Sequence, residues 1–225
     1  YLGHIVPALS RALGARPLTI LDAGCQAGRL LIPLARQGHH LIGIDTSIFA
    51  LRRARIHVKR CGVRVALHRG NITHLRQWIA PGSLDAIICA EVLYLCKNFQ
   101  EILLEFRTAL KPGGMICVSH RAASYYLGRT LLRNQPERLE DLAARREGPS
   151  PDGEYHNWQT PDELRHLYRT AGFEPLACHS IEASSTDVSL PADASAAVHT
   201  VLDPEREAAG TFAIPTYYLI IARRD

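Results

Sequence analysis

Asp22, Gly24, Gly28 and Asp45 are the residues of this 225-residue chain whose types and spacing point most directly to chemistry. The first three fall in "ILDAGCQAGRLLIPLA", Ile20 to Ala35, and the fourth closes the run "LIGID", Leu41 to Asp45. In the first stretch an apolar run ends in an acid, Gly-x-x-x-Gly follows, and a periodic apolar segment begins. A strand, a tight turn and a helix in that order set backbone N–H groups beside a bound ligand. Gly24 lets the chain turn sharply, and Gly28 withholds a side chain where a ligand lies close. The spacing differs from the Gly-x-Gly-x-x-Gly of a dinucleotide turn. Gln26 stands in the middle, and it is tolerated there if its φ is negative; a positive φ costs roughly 1–2 kcal/mol.

The elements that position these residues alternate along the chain. "PLTILDAG", "HHLIGID", "VRVALHRGNI", "SLDAIICAEV" and "GMICVSH" are strands, and the fourth is nearly all apolar, as a strand buried on both faces should be. The segments between them carry helical periodicity and end signals: "AGRLLIPLARQG" closes at Gly38, "TSIFALRRARIHVKRCG" begins at a Thr46 or Ser47 cap and ends at Gly62, and "NFQEILLEFRTALKPGG" is stopped by Pro112 and its glycines. "THLRQWIAPG" is a short helical or irregular piece. After Arg121 the pattern loosens, with helices expected in "SYYLGRTLLR" and "PERLEDLAARR". Order returns at "TPDELRHLYRTAGF", where Thr160 caps, Pro161 starts the helix and Glu163 completes a capping box. "EPLACHSI" is a sixth strand and "FAIPTYYLIIARR" a seventh. Strands separated by helices imply parallel neighbours with right-handed crossovers, hence an α/β doubly wound sheet in one domain spanning 1–225. Residues 121–159 are expected to form a lid insertion. The polar, Ala/Ser/Asp-rich segment 182–210 is expected to be a mobile or functional loop, since connections this long are unusual in a compact domain.

Bulk properties exclude several classes. The chain is 47% hydrophobic and 21% charged with a formal net charge of +4, ordinary for a soluble globular domain. Its basic clusters, "LRRARIHVKR" and "AARREG", read as solvated helix faces rather than a nucleic-acid stripe. No apolar run approaches the ~20 residues that cross a bilayer. The six cysteines form no C-x-x-C pair and the histidines lack metal-ligand spacing, so no metal is expected and a reduced, cytoplasmic protein fits best. The sequence starts at Tyr1, as a trimmed chain or a piece of a longer one does.

"LDAGCQAGRLLIPLA" resembles the first motif of class I S-adenosylmethionine-dependent methyltransferases, Asp-x-Gly-x-Gly-x-Gly, with Gln26 in place of the middle glycine. Further stations follow in order along nearly the whole chain: "LIGIDTS", "HRGNI", "LDAIICAEVLYL", "FRTALKPGGMICVS" and "DELRHLYRTAGFEPL". The resemblance implies a seven-stranded, mostly parallel sheet of order 3-2-1-4-5-7-6 with an antiparallel last strand, and S-adenosyl-L-methionine as cofactor. It implies that Asp22, Gly24, Cys25, Gln26 and Gly28 line the first turn, and that Asp45 accepts hydrogen bonds from both ribose hydroxyls, with Thr46 beside it. Asn71 stands where an Asp usually receives the adenine amino group, and its amide oxygen can accept that bond, with Ile72 next to it. Ala90 and Glu91 face the methionine portion.

The resemblance further implies methyl transfer, in which the protein mainly supplies alignment. "CAEVLY" lacks the motifs of DNA amino-methylating and cytosine-C5 enzymes, and only Glu91 is available where protein arginine methyltransferases need two glutamates. "CAEVLYL" is closer to small-molecule enzymes, including nodulation-type N-methyltransferases. The expected partner is therefore a small-molecule acceptor methylated at oxygen or nitrogen, with no nucleic acid and no membrane. Three residues are catalytic candidates. Glu91 either contacts cofactor or substrate or caps the next helix; Tyr94 either walls the methyl site or packs; His120, after the fifth strand, is either a base at the rim or a surface histidine. Tyr125, Tyr126, His156 and Trp158 either stack on the acceptor or pack the lid. Alternatives to the enzyme reading are an inactive methyltransferase-like binding domain of a larger protein and a nicotinamide oxidoreductase. A transferase moving another part of the same cofactor is a variant of the first.

Overall fold

The computed structural model describes residues 1–225 apart from 151–152, 182–183, 187–193 and 202–211. Seven strands form one sheet: β1 (Thr19–Ala23), β2 (His40–Asp45), β3 (Val65–Arg69), β4 (Leu84–Cys89), β5 (Leu110–Arg121), β6 (Phe173–Ile181) and β7 (Tyr217–Arg224). Their order is β3-β2-β1-β4-β5-β7-β6, with β7 antiparallel to both neighbours and the five strands before it parallel. This is the topology expected from the sequence.

Helices cover both faces, and the alternation of side chains along each strand sorts the core into two layers. On one face Ile20, Ile88, Met115, Cys117, Leu219 and Ile221 meet α1 (Leu2–Leu13), α2 (Leu31–Arg36) and Leu51 of α3 (Ile48–Arg60). On the other, Leu21, Ile87, Ile116, Val118 and Ile220 meet α4 (Phe99–Ala109), α7 (Pro161–Thr170) and the 3₁₀ turn Ile72–Gln77. The α1 helix has no counterpart in the strand-helix pattern read above, although Ile5 and Leu9 lie on one buried stripe of it. The helix caps match expectation. Ser47 accepts from Ala50 N, and Thr160 and Glu163 form the capping box ahead of α7, with Pro161 as its first residue.

Two elements differ from the sequence pattern. The α2 helix starts at Leu31 instead of Ala27, because residues 26–30 are spent on turns that carry the glycine segment past the end of the sheet. The expected seventh strand is split at Pro215. Phe212–Ile214 pairs with Ser184–Thr186 in a separate two-stranded ribbon, and only Tyr217–Arg224 joins the sheet. Proline has no N–H to continue a ladder, so a break there is its ordinary effect.

The segment expected to be a lid folds into α5 (Ala123–Leu132), a 3₁₀ turn Pro136–Arg138, α6 (Leu139–Ala144) and a hairpin of Glu147–Pro149 with Tyr155–Asn157. It has its own small core of Tyr126, Leu127, Leu139, Leu142 and Trp158, to which α8 (Ala196–Val201) adds Val198 and Val201. Most of the loop expected over 182–210 lies outside the described residues. No helix among the described residues is long and apolar enough to cross a membrane.

Candidate active site

The turn after β1 is held against the end of β2. Gly24 and Cys25 both donate their N–H to Ile44 O, at 2.8 and 3.1 Å, and Gly28 N returns to Cys25 O at 2.9 Å. Gly24 has φ 83°, and a Cβ there would lie 2.3 Å from Val92 Cγ2, so both its backbone and its surroundings require glycine. At Gly28 a Cβ would meet nothing closer than 3.8 Å, and only its φ of 89° demands the residue. Gln26 has φ 47°, the left-handed region, so it carries the strained conformation that a glycine would have avoided. Its N–H donates to Asp45 Oδ2 at 2.9 Å, which fixes the strained turn to the next strand end. The other Asp45 oxygen accepts from Ser47 N at 2.8 Å. An ionised carboxylate has about four acceptor positions, so two backbone donors leave it with capacity for further hydroxyl donors.

These strand ends enclose a cavity of about 640 Å³ at the carboxyl edge of the sheet, the position where open α/β sheets bind ligands. Of the positions expected from the sequence, Asp22, Gly24, Cys25, Gln26, Asp45, Thr46, Asn71, Ile72, Ala90, Glu91 and Tyr94 line it. Gly28 does not, and acts through the turn alone. Asn71 Oδ1 accepts from Thr73 N at 3.0 Å and caps the following 3₁₀ turn, which orients the amide and leaves its second lone pair open. Asp22 is 2% exposed, and burial pushes its carboxyl up to about 7 against the opposing pull of Arg29. A buried acid held near neutrality is one that a bound cation would return to its ionised form.

Glu91 marks the far end of the cavity. It too has a left-handed φ, 63°, and its N–H donates to Ser119 Oγ at 2.6 Å. Its carboxylate pairs with Arg29 Nη2 at 2.6 Å and accepts from Tyr217 Oη at 3.4 Å. It is therefore not a helix cap; the short turn Leu93–Leu95 begins after Val92. Two of the three non-glycine residues with positive φ among the described residues, Gln26 and Glu91, thus line this one cavity. Backbone strain of this kind concentrates at ligand sites because the surroundings over-determine it.

The remaining candidates divide. Tyr94 stands at the wall with its ring edge-on to His156, at 5.0 Å between centroids, and His156 Nδ1 bonds the Tyr126 hydroxyl. Tyr125 packs edge-on against Tyr126 at 5.2 Å. These aromatic side chains form a continuous band from the cavity wall into the lid. His120 does not reach the rim, which corrects its expected placement. It shares the parity of Ile116 and Val118 on β5 and is wholly buried beneath α4 and α7, with Nε2 2.9 Å from Tyr168 Oη. Burial lowers its pKa to about 3, so it is neutral and without access to an acceptor. Trp158 is likewise fully buried in the lid core, where its Nε1 donates to Arg145 O at 3.0 Å, so it stacks on no ligand. Arg29 and Tyr217 carry the contacts at Glu91 but were not singled out in the sequence. Arg29 follows Gly28 directly and was within reach of motif reading, whereas Tyr217 arrives from the distant last strand.

A doubly wound sheet of this order, with a strained glycine turn and two acids at adjacent strand ends, defines a class I methyltransferase fold. The comparisons agree. Residues 16–172 match the family described as "Methyltransferase domain", and the chain belongs to it. It is 32% identical over 165 residues to a ubiquinone biosynthesis O-methyltransferase of Ralstonia nicotianae, an alignment covering 72% of this chain and 66% of that protein. The chain thus spans just under two thirds of that relative's length. Among solved structures it resembles a SAM-dependent methyltransferase from Methanosarcina mazei, with a TM-score of 0.67, 18% identity and 97% of each chain covered. It also resembles a Burkholderia thailandensis 1,6-didemethyltoxoflavin-N1-methyltransferase with bound 1,6-didemethyltoxoflavin and S-adenosylhomocysteine, with a TM-score of 0.59, 18% identity, and 97% and 76% covered.

Proposed function

We propose that this chain transfers a methyl group from S-adenosylmethionine to an oxygen or nitrogen of a small molecule. The observation that carries the reading is the graded cavity, with Asp45 at one end, the buried Asp22 in its wall and Glu91 with Tyr94 at the other. These groups suit the cofactor's parts. Asp45 offers acceptors for a pair of ribose hydroxyls, Asn71 and Ile72 border the space for the adenine, and Asp22 is an acid that a cationic methionine portion would ionise. When bound, the cofactor would supply an electrophilic sulfonium methyl to a lone pair on the acceptor's oxygen or nitrogen, with S-adenosylhomocysteine as the leaving group.

The chain's own residues then align and enclose. Gly24 and its neighbours bring backbone close to the ligand. Glu91 and Tyr94 shape the reacting end, and Tyr125 and His156 wall the acceptor side, backed by Tyr126, which is buried in the lid core beside Trp158, with residues 121–159 as its cover. Alignment of this kind is worth several powers of ten in rate without a dedicated base. The small-molecule reading draws support from the absence of a basic stripe in the sequence and from the names of the similar proteins, a ubiquinone biosynthesis O-methyltransferase and a didemethyltoxoflavin N-methyltransferase. Six free cysteines accord with a reducing, cytoplasmic setting.

Calorimetric titration with S-adenosylmethionine and S-adenosylhomocysteine tests the reading. Both ligands are expected to bind, and Asp45→Asn is expected to weaken both by about tenfold or more, the scale of a lost charge-assisted hydrogen bond. Absence of binding to either ligand would overturn the enzyme reading and leave a methyltransferase-like binding domain in its place.

A further inference from the structure

Beside the cofactor cavity, one ring's thickness behind Tyr94, lies a buried cation that the cavity does not use. Arg121 is the last residue of β5 and only 7% exposed. Its Cζ lies 4.2 Å from the ring centroid of Tyr217, 4.4 Å from that of Tyr94 and 4.6 Å from that of Tyr125. Register explains the enclosure. Tyr217 is paired with Arg121 across β5 and β7, Tyr94 comes from the turn after β4, and Tyr125 from the first turn of α5. The three rings come from three separate elements and converge on one guanidinium.

What the cage lacks is an anion. Among the described residues no carboxylate pairs with Arg121, and its side chain donates no hydrogen bond to any of them; Nε is fully buried without a partner. Glu91, an acid of the site, is taken by Arg29 and Tyr217. A guanidinium has five N–H donors arranged as a planar fork that matches a carboxylate. Ring faces satisfy its charge in part through their quadrupoles, but they accept no full set of hydrogen bonds. Buried polar groups are ordinarily paired, and one left open behind a cavity-lining ring, Tyr94, calls for an explanation.

We propose that Arg121 is the anchor for a carboxylate on the methyl acceptor, so that the substrates of this chain are small organic acids. This deepens the methyltransferase reading and rests on it. The carboxylate would take the fork of Arg121, the three rings would flank the body of the acid, and Tyr94, shared by the cage and the cofactor cavity, would hold the rest of the molecule toward the methyl. Arg121 is thus a specificity-determining residue that acts away from the reacting atoms.

The test uses the full chain saturated with S-adenosylhomocysteine, titrated by calorimetry with acetate and benzoate and with their neutral counterparts, acetamide and benzamide. At least one acid is expected to bind at least tenfold more tightly than its amide. Arg121→Met should abolish that preference while leaving S-adenosylhomocysteine affinity within about twofold. Arg121→Lys keeps the charge but loses the fork and should retain only a small part of the preference. Equal binding of acid and amide to the wild-type protein, or no binding of either, would overturn the proposal whatever the variants do. So would an acid preference that survives Arg121→Met. Failure of S-adenosylhomocysteine itself to bind would instead strike the underlying methyltransferase reading.

Discussion

At Gln26 the sequence and the backbone are in conflict. The turn takes a left-handed conformation at that position in a residue with a side chain, and its N–H is anchored on Asp45. The cost of roughly 1–2 kcal/mol is offset in part by the unfolded-chain freedom that glycine would add, about 0.5–1 kcal/mol. Gln26→Gly is therefore expected to stabilise the protein modestly, by up to about 1 kcal/mol, with the hydrogen bond to Asp45 intact. Urea unfolding at constant pH measures this, and a loss of stability would mean that the Gln26 side chain contributes contacts outweighing the strain. A single position along the chain separates two outcomes. His120 and Arg121 are neighbours in sequence, yet one is a neutral core side chain and the other a caged cation.

Among elements, the lid hairpin and the turn bearing Tyr94 behave as one piece. Asn157 is fully buried and its Nδ2 donates to Leu93 O at 3.0 Å and Cys96 O at 3.1 Å, while Gln159 Nε2 donates to its Oδ1 at 3.2 Å. The backbone reinforces the joint, with Gln159 N on Arg121 O and Ala123 N on Gln159 O. Asn157→Ala deprives Cys96 O and the Gln159 amide of their partners, while Leu93 O keeps the Cys96 N–H at 3.0 Å, which costs about 2–3 kcal/mol. Thermal unfolding should register that loss. Tryptophan fluorescence of Trp158, next in the chain and packed in the lid core, should report loosening of the lid before the sheet unfolds. A variant that melts like the wild type with unchanged fluorescence would show that the joint is not what holds the lid. At the opposite edge of the sheet, Asp85 accepts from Arg16, Lys111 and Thr19 N at 2.7–2.8 Å and ties β1, β4 and the start of β5 together, so the architecture under the cavity is clamped from below.

For the whole molecule, two buried groups set opposing pH trends. Asp22 is raised to about 7 by burial, so the unfolded chain releases this proton first; its contribution is fully present below pH ~4 and is lost as pH rises through about 7. His120 is lowered to about 3 by burial, so its contribution is present above pH ~6.5 and is lost as pH falls through about 3. Each slope is at most about 1.4 kcal/mol per pH unit. Relative to wild type, Asp22→Asn should gain stability steadily from pH 4 to 7, and His120→Phe should gain it from pH 6.5 down to 3. The constant offset from depriving Tyr168 of its partner drops out of the slope. Chemical denaturation of the three proteins across this range decides the matter, and parallel stability curves would refute both assignments.

Much of the fold and of the cofactor side of the candidate site was legible in the sequence, because the signals are local. Apolar runs ending at Asp22 and Asp45, the glycines between strand and helix, and the Thr160–Glu163 capping box each act within a few residues, and their order along the chain implies the crossovers that build the sheet. What only the tertiary structure decided is where side chains look once strands are paired. Side chains alternate with a period of two, so a shift of one residue exchanges the faces of a strand; no local pattern near the end of β5 reveals that His120 turns into the core while Arg121 faces the tyrosines. The cage itself joins residues from the turn after β4, from α5 and from β7, and Pro215 sets where β7 begins. Such a constellation arises from antiparallel register between segments far apart in the chain, and register is fixed only when the whole sheet has closed around its core.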